Sequence, residues 1–233
     1  MAVRVPGDAS IGTAAYHPCR VSGVATRTSE RAAYLAAATN LAAGLVMLAA
    51  LRRGIPAGED EVTRRLEYVS EHTLVWRLGW LTWMAAAITL LGLFAVLSVK
   101  WRERSPVMCT LALLCAAAGL ATDLAAETIL VVVVPGLRGE AFALAESLAM
   151  ALTAFLGNGL YAVAGILLTL AGRRELPRSV LVAAAAVWSS ALWLSAAALV
   201  SSETGQFASA AVLMPLFVLW AALTGRWLSA PAS

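Results

Sequence analysis

Charge, histidine and cysteine are all scarce in this 233-residue chain: 13% of residues are charged, two are histidine and three are cysteine. A soluble domain carries charge on about a quarter of its residues, so an ordinary soluble enzyme and a disordered protein are both excluded. Cys19, Cys109 and Cys115 show no CxxC spacing and make no disulfide framework. Cys109 and Cys115 are six apart, face different directions on one helix, and read as small packing hydrophobes. With only His17 and His72 in the chain, a haem held by two intramembrane histidines and a histidine-rich di-iron site are ruled out. No metal site and no cofactor are expected.

Apolar residues are what the chain has in excess, at 61%, with a mean hydropathy of +0.79. The net charge is +3 and the sequence pI about 9.0. Lys and Arg fall between apolar runs, where they orient helices in a membrane, so no nucleic-acid partner is expected.

Six stretches can cross a hydrocarbon core, which takes about 20 apolar residues per helix. They are 33–51, 74–99, 107–134, 141–171, 179–200 and 207–228. Alternating ten-residue strands are absent, and in lipid only helices or a closed barrel satisfy the backbone. The fold class is therefore all-α, a transmembrane bundle of six helices over 33–228. A flexible basic tail is expected over 1–32 and a short C-terminal tail over 229–233. Eleven Lys and Arg lie in the N-terminal tail, the second and fourth loops and the C-terminus, against five in the other loops. This bias places both termini in the cytoplasm, as in a multi-pass protein of the cell inner (plasma) membrane.

The first outer loop is the long one. Within it, 59–73 reads as an amphipathic helix, with Val62, Leu66 and Val69 on one face and Asp60, Glu61, Arg64, Glu67 and Glu71 on the other. It would either lie on the membrane surface or form a lid over an outward-facing pocket. Gly44 with Arg52-Arg53-x-x-Pro56 echoes Gly165 with Arg173-Arg174-x-x-Pro177 at an offset of 121 residues. An inverted repeat leaves that pattern, although the acids of the third span have no counterparts in the sixth.

Ionisable residues inside a span are costly and turn toward the bundle interior. At about 1.5 Å per residue, Glu127 lies about 10 Å and Asp123 about 16 Å below the outer surface, one helical turn apart. Arg77 lies about 6 Å deep on the same scale, and Glu146 is similarly shallow. Asn40 falls near the midplane and Asn158, between Gly157 and Gly159, lies deeper. Trp76, Trp80 and Trp83 run down one face of the second span, with Trp193 at comparable depth and Trp188 near the midplane. Acids gathered beside aromatic faces make a candidate binding pocket.

Each of these residues also has a structural reading. Arg77 would pair with Glu127 or Glu146, Trp76 would belong to the interfacial belt, and Trp80 and Trp83 would pack in the core. Asn40 and Asn158 would join helices by hydrogen bonds. His72 would be solvated. Asp123 is the hardest to assign to structure, because no basic residue is available at its depth.

Three functions fit this pattern. In the first, an outward-facing intramembrane pocket binds a small lipophilic or cationic molecule, with acid–base chemistry of isomerase or cyclase type open to it. Asp123 would be the catalytic proton donor and Glu127 its partner or base. Arg77, Trp80, Trp83, Asn40, Glu146, Asn158 and Trp193 would line the ligand site, the tryptophan faces stabilising positive charge. The second is a proton-coupled carrier in which Asp123 or Glu127 alternates between protonated and substrate-bound states. The third is a non-catalytic assembly or partner subunit, its polar residues only holding helices together. The lipid bilayer is a partner in all three.

Asn40-Leu41-Ala42-Ala43-Gly44 in the first span, the long first outer loop and Arg77-Leu78-Gly79 opening the second span resemble an uncharacterised family of six-helix bacterial integral membrane proteins. The resemblance would cover most of the chain. It implies six helices and supplies no catalytic residues.

Overall fold

The computed structural model describes residues 23–56 and 61–230. His17, Cys19, Asp60 and the expected tail up to residue 22 lie outside the described residues. The structure is 90% helical, and no strand occurs among the described residues. The helices, in order, are α1 (Gly23–Val46), α2 (Val62–Glu71), α3 (Thr73–Trp101), α4 (Pro106–Thr128), α5 (Gly139–Met150), α6 (Asn158–Gly172), α7 (Arg178–Leu199) and α8 (Glu203–Ser229).

Six continuous helical stretches among the described residues are long and apolar enough to cross a membrane: Arg27–Gly54, Thr73–Trp101, Pro106–Gly136, Gly139–Gly172, Arg178–Leu199 and Thr204–Ser229. They match the six expected spans to within a few residues, except that the first helix starts earlier. Residues 23–32, expected in the tail, belong to α1. The outside of the bundle is apolar, with Leu35, Leu48, Val99, Leu144 and Val182 exposed. A soluble monomer rarely presents so extended an apolar surface, and a bilayer covers it.

Local signals set the helix ends. Pro106 opens α4, where a missing N–H costs nothing. The Ser202 hydroxyl caps α8 by accepting from the Gly205 N–H at 3.2 Å. Gly139 opens α5 with φ +54°, a backbone conformation that a Cβ would strain.

Three of the membrane stretches contain a π-helical turn: Met47–Leu51 after α1, Ile129–Val133 after α4, and Ala151–Gly157 between α5 and α6. A π turn breaks the regular hydrogen-bond ladder, and a carbonyl freed inside a membrane needs another donor. Side chains supply one at each turn. The Tyr68 hydroxyl donates to the Ala50 carbonyl, and Trp76 Nε1 donates to the Leu130 carbonyl at 2.7 Å. Arg77 Nε donates to the Val131 carbonyl at 3.1 Å, and Asn158 Nδ2 to the Thr153 carbonyl at 2.9 Å.

The spans close into a ring. Going round, α1 packs on α3, α3 on α4, α4 on α6, α6 on α7, α7 on α8, and α8 back on α1. The short helix α2 packs against Arg52–Gly54, α3, α5 and Val134–Gly136, so it caps the ends of the first four spans. Its Val69 is fully buried, so α2 is docked on protein rather than laid flat on lipid.

The apolar core is split in two. A large cluster away from α2 holds Phe94, Trp101, Ala112, Ala116, Tyr161, Trp188 and Trp220. A smaller cluster beneath α2 holds Leu51, Val69, Trp76, Trp80, Ala126, Leu130 and Phe142. Along α4 the first cluster ends at Ala116 and the second begins at Ala126. Asp123 lies in that seam.

Candidate functional site

Asp123 and Glu127 are one turn apart on α4, and both turn inward as their cost in lipid requires. Asp123 is 7% exposed and Glu127 2%. The side chain of Asp123 fits because Gly157 faces it: a Cβ at that glycine would overlap Asp123 Oδ1. Gly157 ends the π turn between α5 and α6, so this irregular segment is what admits the carboxyl. The Thr153 hydroxyl, from the same turn, and the Tyr161 hydroxyl of α6 face Asp123. Glu127 also lies within electrostatic range of Tyr161.

These groups are close together but incompletely satisfied. Glu127 Oε2 is buried without a protein partner, as are Trp80 Nε1 and Trp83 Nε1 on α3, and the contacts of Asp123 Oδ1 and Tyr161 Oη fall short of ideal hydrogen-bonding geometry. Thr153 is the one nearby threonine turned to Asp123; the two on α4 itself are spent on backbone. Thr122 donates to Ala118 at 2.8 Å and Thr128 to Leu124 at 2.6 Å, each to its own helix backbone. Leaving one such group unpaired costs about 1–3 kcal/mol, so the seam is locally expensive. Its chemistry is two carboxyls, a phenol and two indole N–H groups. Among the described residues no cluster of three His, Cys, Asp or Glu could hold a metal ion.

The other residues expected at this site go elsewhere. Arg77 is exposed and pairs with neither acid; it satisfies the π-turn carbonyl of Val131 instead. The partner of Glu146 is Arg65 of α2: Arg65 Nε reaches the two carboxylate oxygens at 3.0 and 3.2 Å, and Nη2 reaches Oε2 at 2.7 Å. Both residues are buried, at 5% and 1% exposure. Arg65 was missed by the sequence reading, yet it lies on the Val62–Val69 face of α2, at i+3 from Val62. Trp76 is fully buried and hydrogen-bonded, so it is not an interfacial belt residue. Trp193 is 49% exposed on the outside of α7 and faces away from the acids. Asn40 Nδ2 donates to the Ala36 carbonyl of its own helix at 2.9 Å, and Asn158 holds the π turn that carries Thr153. Trp80 and Trp83 remain beside the site, in the cluster that includes Ala126 of α4.

The acids are enclosed. An open groove of about 690 Å³ lies on α1 around Arg27, Arg31 and Tyr34. A cavity of about 10 Å³ lies around Trp101 and Thr224. Neither borders Asp123 or Glu127. On the α2 side, Trp76 and Trp80 pack in the cluster that holds Ala126, the neighbour of Glu127 on α4. On the other side Trp188 makes edge-to-face contacts with Phe94 and Trp220, at centroid distances of 5.8 and 5.0 Å. Trp188 also packs directly against Gly165.

Comparison with family models, with curated proteins and with solved structures gives no match, so the site is read from its own residues.

Proposed function

We propose that this chain is a multi-pass protein of the bacterial inner membrane, with both termini cytoplasmic. We further propose that Asp123 and Glu127 form an intramembrane site for a small cationic or hydrogen-bond-donating lipophilic molecule. The observation that carries this reading is an under-satisfied buried polar cluster: Glu127 Oε2 and the Trp80 and Trp83 N–H groups have no protein partner, and Asp123 is met only by the hydroxyls of Thr153 and Tyr161. Helices that were only being joined would satisfy one another, as Arg65 and Glu146 do. A cation bearing N–H groups would meet the carboxyls, and the Trp80 and Trp83 rings offer π faces to its charge. Asp123 would donate a proton to the ligand, and Glu127, one turn away, would be its partner or the base that takes a proton back from the ligand.

A carrier reading draws on the enclosure of the acids. Acids buried to 7% and 2% exposure, with α2 over the ends of the first four spans, fit an occluded carrier state. A purely structural subunit would leave the isosteric amides silent.

Equilibrium binding of 2-phenylethylammonium, a small lipophilic cation with three N–H donors, to the protein in nanodiscs tests the site. Wild type should bind, and Asp123→Asn and Glu127→Gln should weaken binding at least tenfold with the thermal midpoint held. Equal binding by all three proteins would remove the acids from any cation site. The orientation has its own test: labelling of a single cysteine at position 228 from outside intact cells would contradict it.

A further inference from the structure

We infer that the end of the bundle away from α2 contains a hydration site for a single water, held by Trp101 of α3, Thr224 of α8 and Thr169 of α6. The three side chains share the wall of the cavity of about 10 Å³, and the remaining wall is apolar, with Leu97, Leu168 and Val180. That volume is about what one water needs, and a buried water takes two to four polar partners.

Two of the three polar groups lack a protein partner. Trp101 Nε1 and Thr224 Oγ1 are fully buried without one. Neither case is a matter of loose placement. The Trp101 ring is pressed against Gly172, where a Cβ would overlap it, and stacks on Trp227 at a centroid distance of 6.1 Å. Its N–H direction is therefore fixed. Two other buried indoles show what such an N–H ordinarily finds: Trp76 donates to Leu130 and Trp188 to Thr169.

Thr224 departs from the habit of several other membrane threonines. Thr82, Thr122, Thr128 and Thr169 each donate to the carbonyl four residues earlier; Thr224 does not. Thr169 spends its proton on the Gly165 carbonyl at 2.7 Å and accepts from Trp188 Nε1 at 3.1 Å, which leaves its oxygen one lone pair. A water in the cavity would accept from Trp101 Nε1, exchange a hydrogen bond with the Thr224 hydroxyl and donate to Thr169 Oγ1. It would thereby tie the second, fourth and sixth spans together. This inference is independent of any ligand at Asp123.

An experimental density map of the protein in nanodiscs, at a resolution that shows ordered solvent, tests it. The expected result is one solvent peak within hydrogen-bonding distance of both Trp101 Nε1 and Thr224 Oγ1. The same map of Thr224→Val, which replaces the hydroxyl by a methyl of like size, should lose that peak. A map with no peak, or with Trp101 Nε1 donating to a protein carbonyl, would overturn the site. So would a peak that persists unchanged in Thr224→Val. If that variant fails to fold, the wild-type map alone decides the matter, together with a water cross-peak at the Trp101 indole N–H. That signal is assigned by Trp101→Phe, and its absence would count against the site.

Discussion

Arg65→Met would leave Glu146 as a charge sealed between α2 and α5. The wild-type pair makes three N–H···O contacts between 2.7 and 3.2 Å, with both side chains almost fully buried. Removing one partner of such a pair costs about 3–5 kcal/mol, mostly from the charge left behind. The loss should fall on the docking of α2, because α2 joins the bundle through this pair, Val69 and the Tyr68 hydroxyl. Hydrogen–deuterium exchange of the α2 amides reads it directly. At about 1.4 kcal/mol per tenfold change, protection over Val62–Glu71 should fall by a hundredfold or more. The double variant Arg65→Met with Glu146→Gln removes the stranded charge and should recover a large part of the loss. The exposed Arg104–Glu175 pair at the other end is an internal control, since Arg104→Met should cost under about 1 kcal/mol. Arg65→Met exchanging within threefold of wild type would refute the reasoning.

Gly157→Ala, Gly165→Ala and Gly172→Ala should each destabilise by about 1–3 kcal/mol, because the added methyl meets Asp123, Trp188 or Trp101. Gly92→Ala faces open space and should be neutral or stabilise by up to about 1 kcal/mol through helix propensity; thermal midpoints of the four variants check the contrast. Trp76→Phe strands the Leu130 carbonyl and should cost about 1–3 kcal/mol, whereas Trp193→Phe, on the exposed face of α7, should be nearly silent in the same denaturation assay.

The spans were legible because lipid leaves the backbone little choice: a long apolar run without alternation becomes a helix. The inward turn of Asp123 and Glu127 followed from the cost of the alternative. What depth alone could not supply was the partner of each polar group. Arg77, Glu127 and Glu146 were grouped by height, but height does not fix azimuth. The π turn at Ile129–Val133 created carbonyl acceptors that claimed both Trp76 and Arg77, and no composition signal marks such a turn. Arg65 could have been found, since a charged residue on the apolar face of an amphipathic helix needs a buried partner. Gly157 and Gly159 flanking Asn158 could have pointed to an irregular place in the fourth span. That this irregularity would cup Asp123 depends on how α4 meets α6, which is a property of the packed bundle.

That Asp123 and Glu127 receive a ligand, rather than join helices, is tested most directly by infrared difference spectroscopy of the nanodisc-embedded protein with and without 2-phenylethylammonium. The predicted result is a change in the carboxyl bands on binding, with components that vanish in Asp123→Asn and in Glu127→Gln while both variants keep the wild-type fold. Binding that leaves the carboxyl bands untouched, or a carboxyl signal that survives in both variants, would contradict the account.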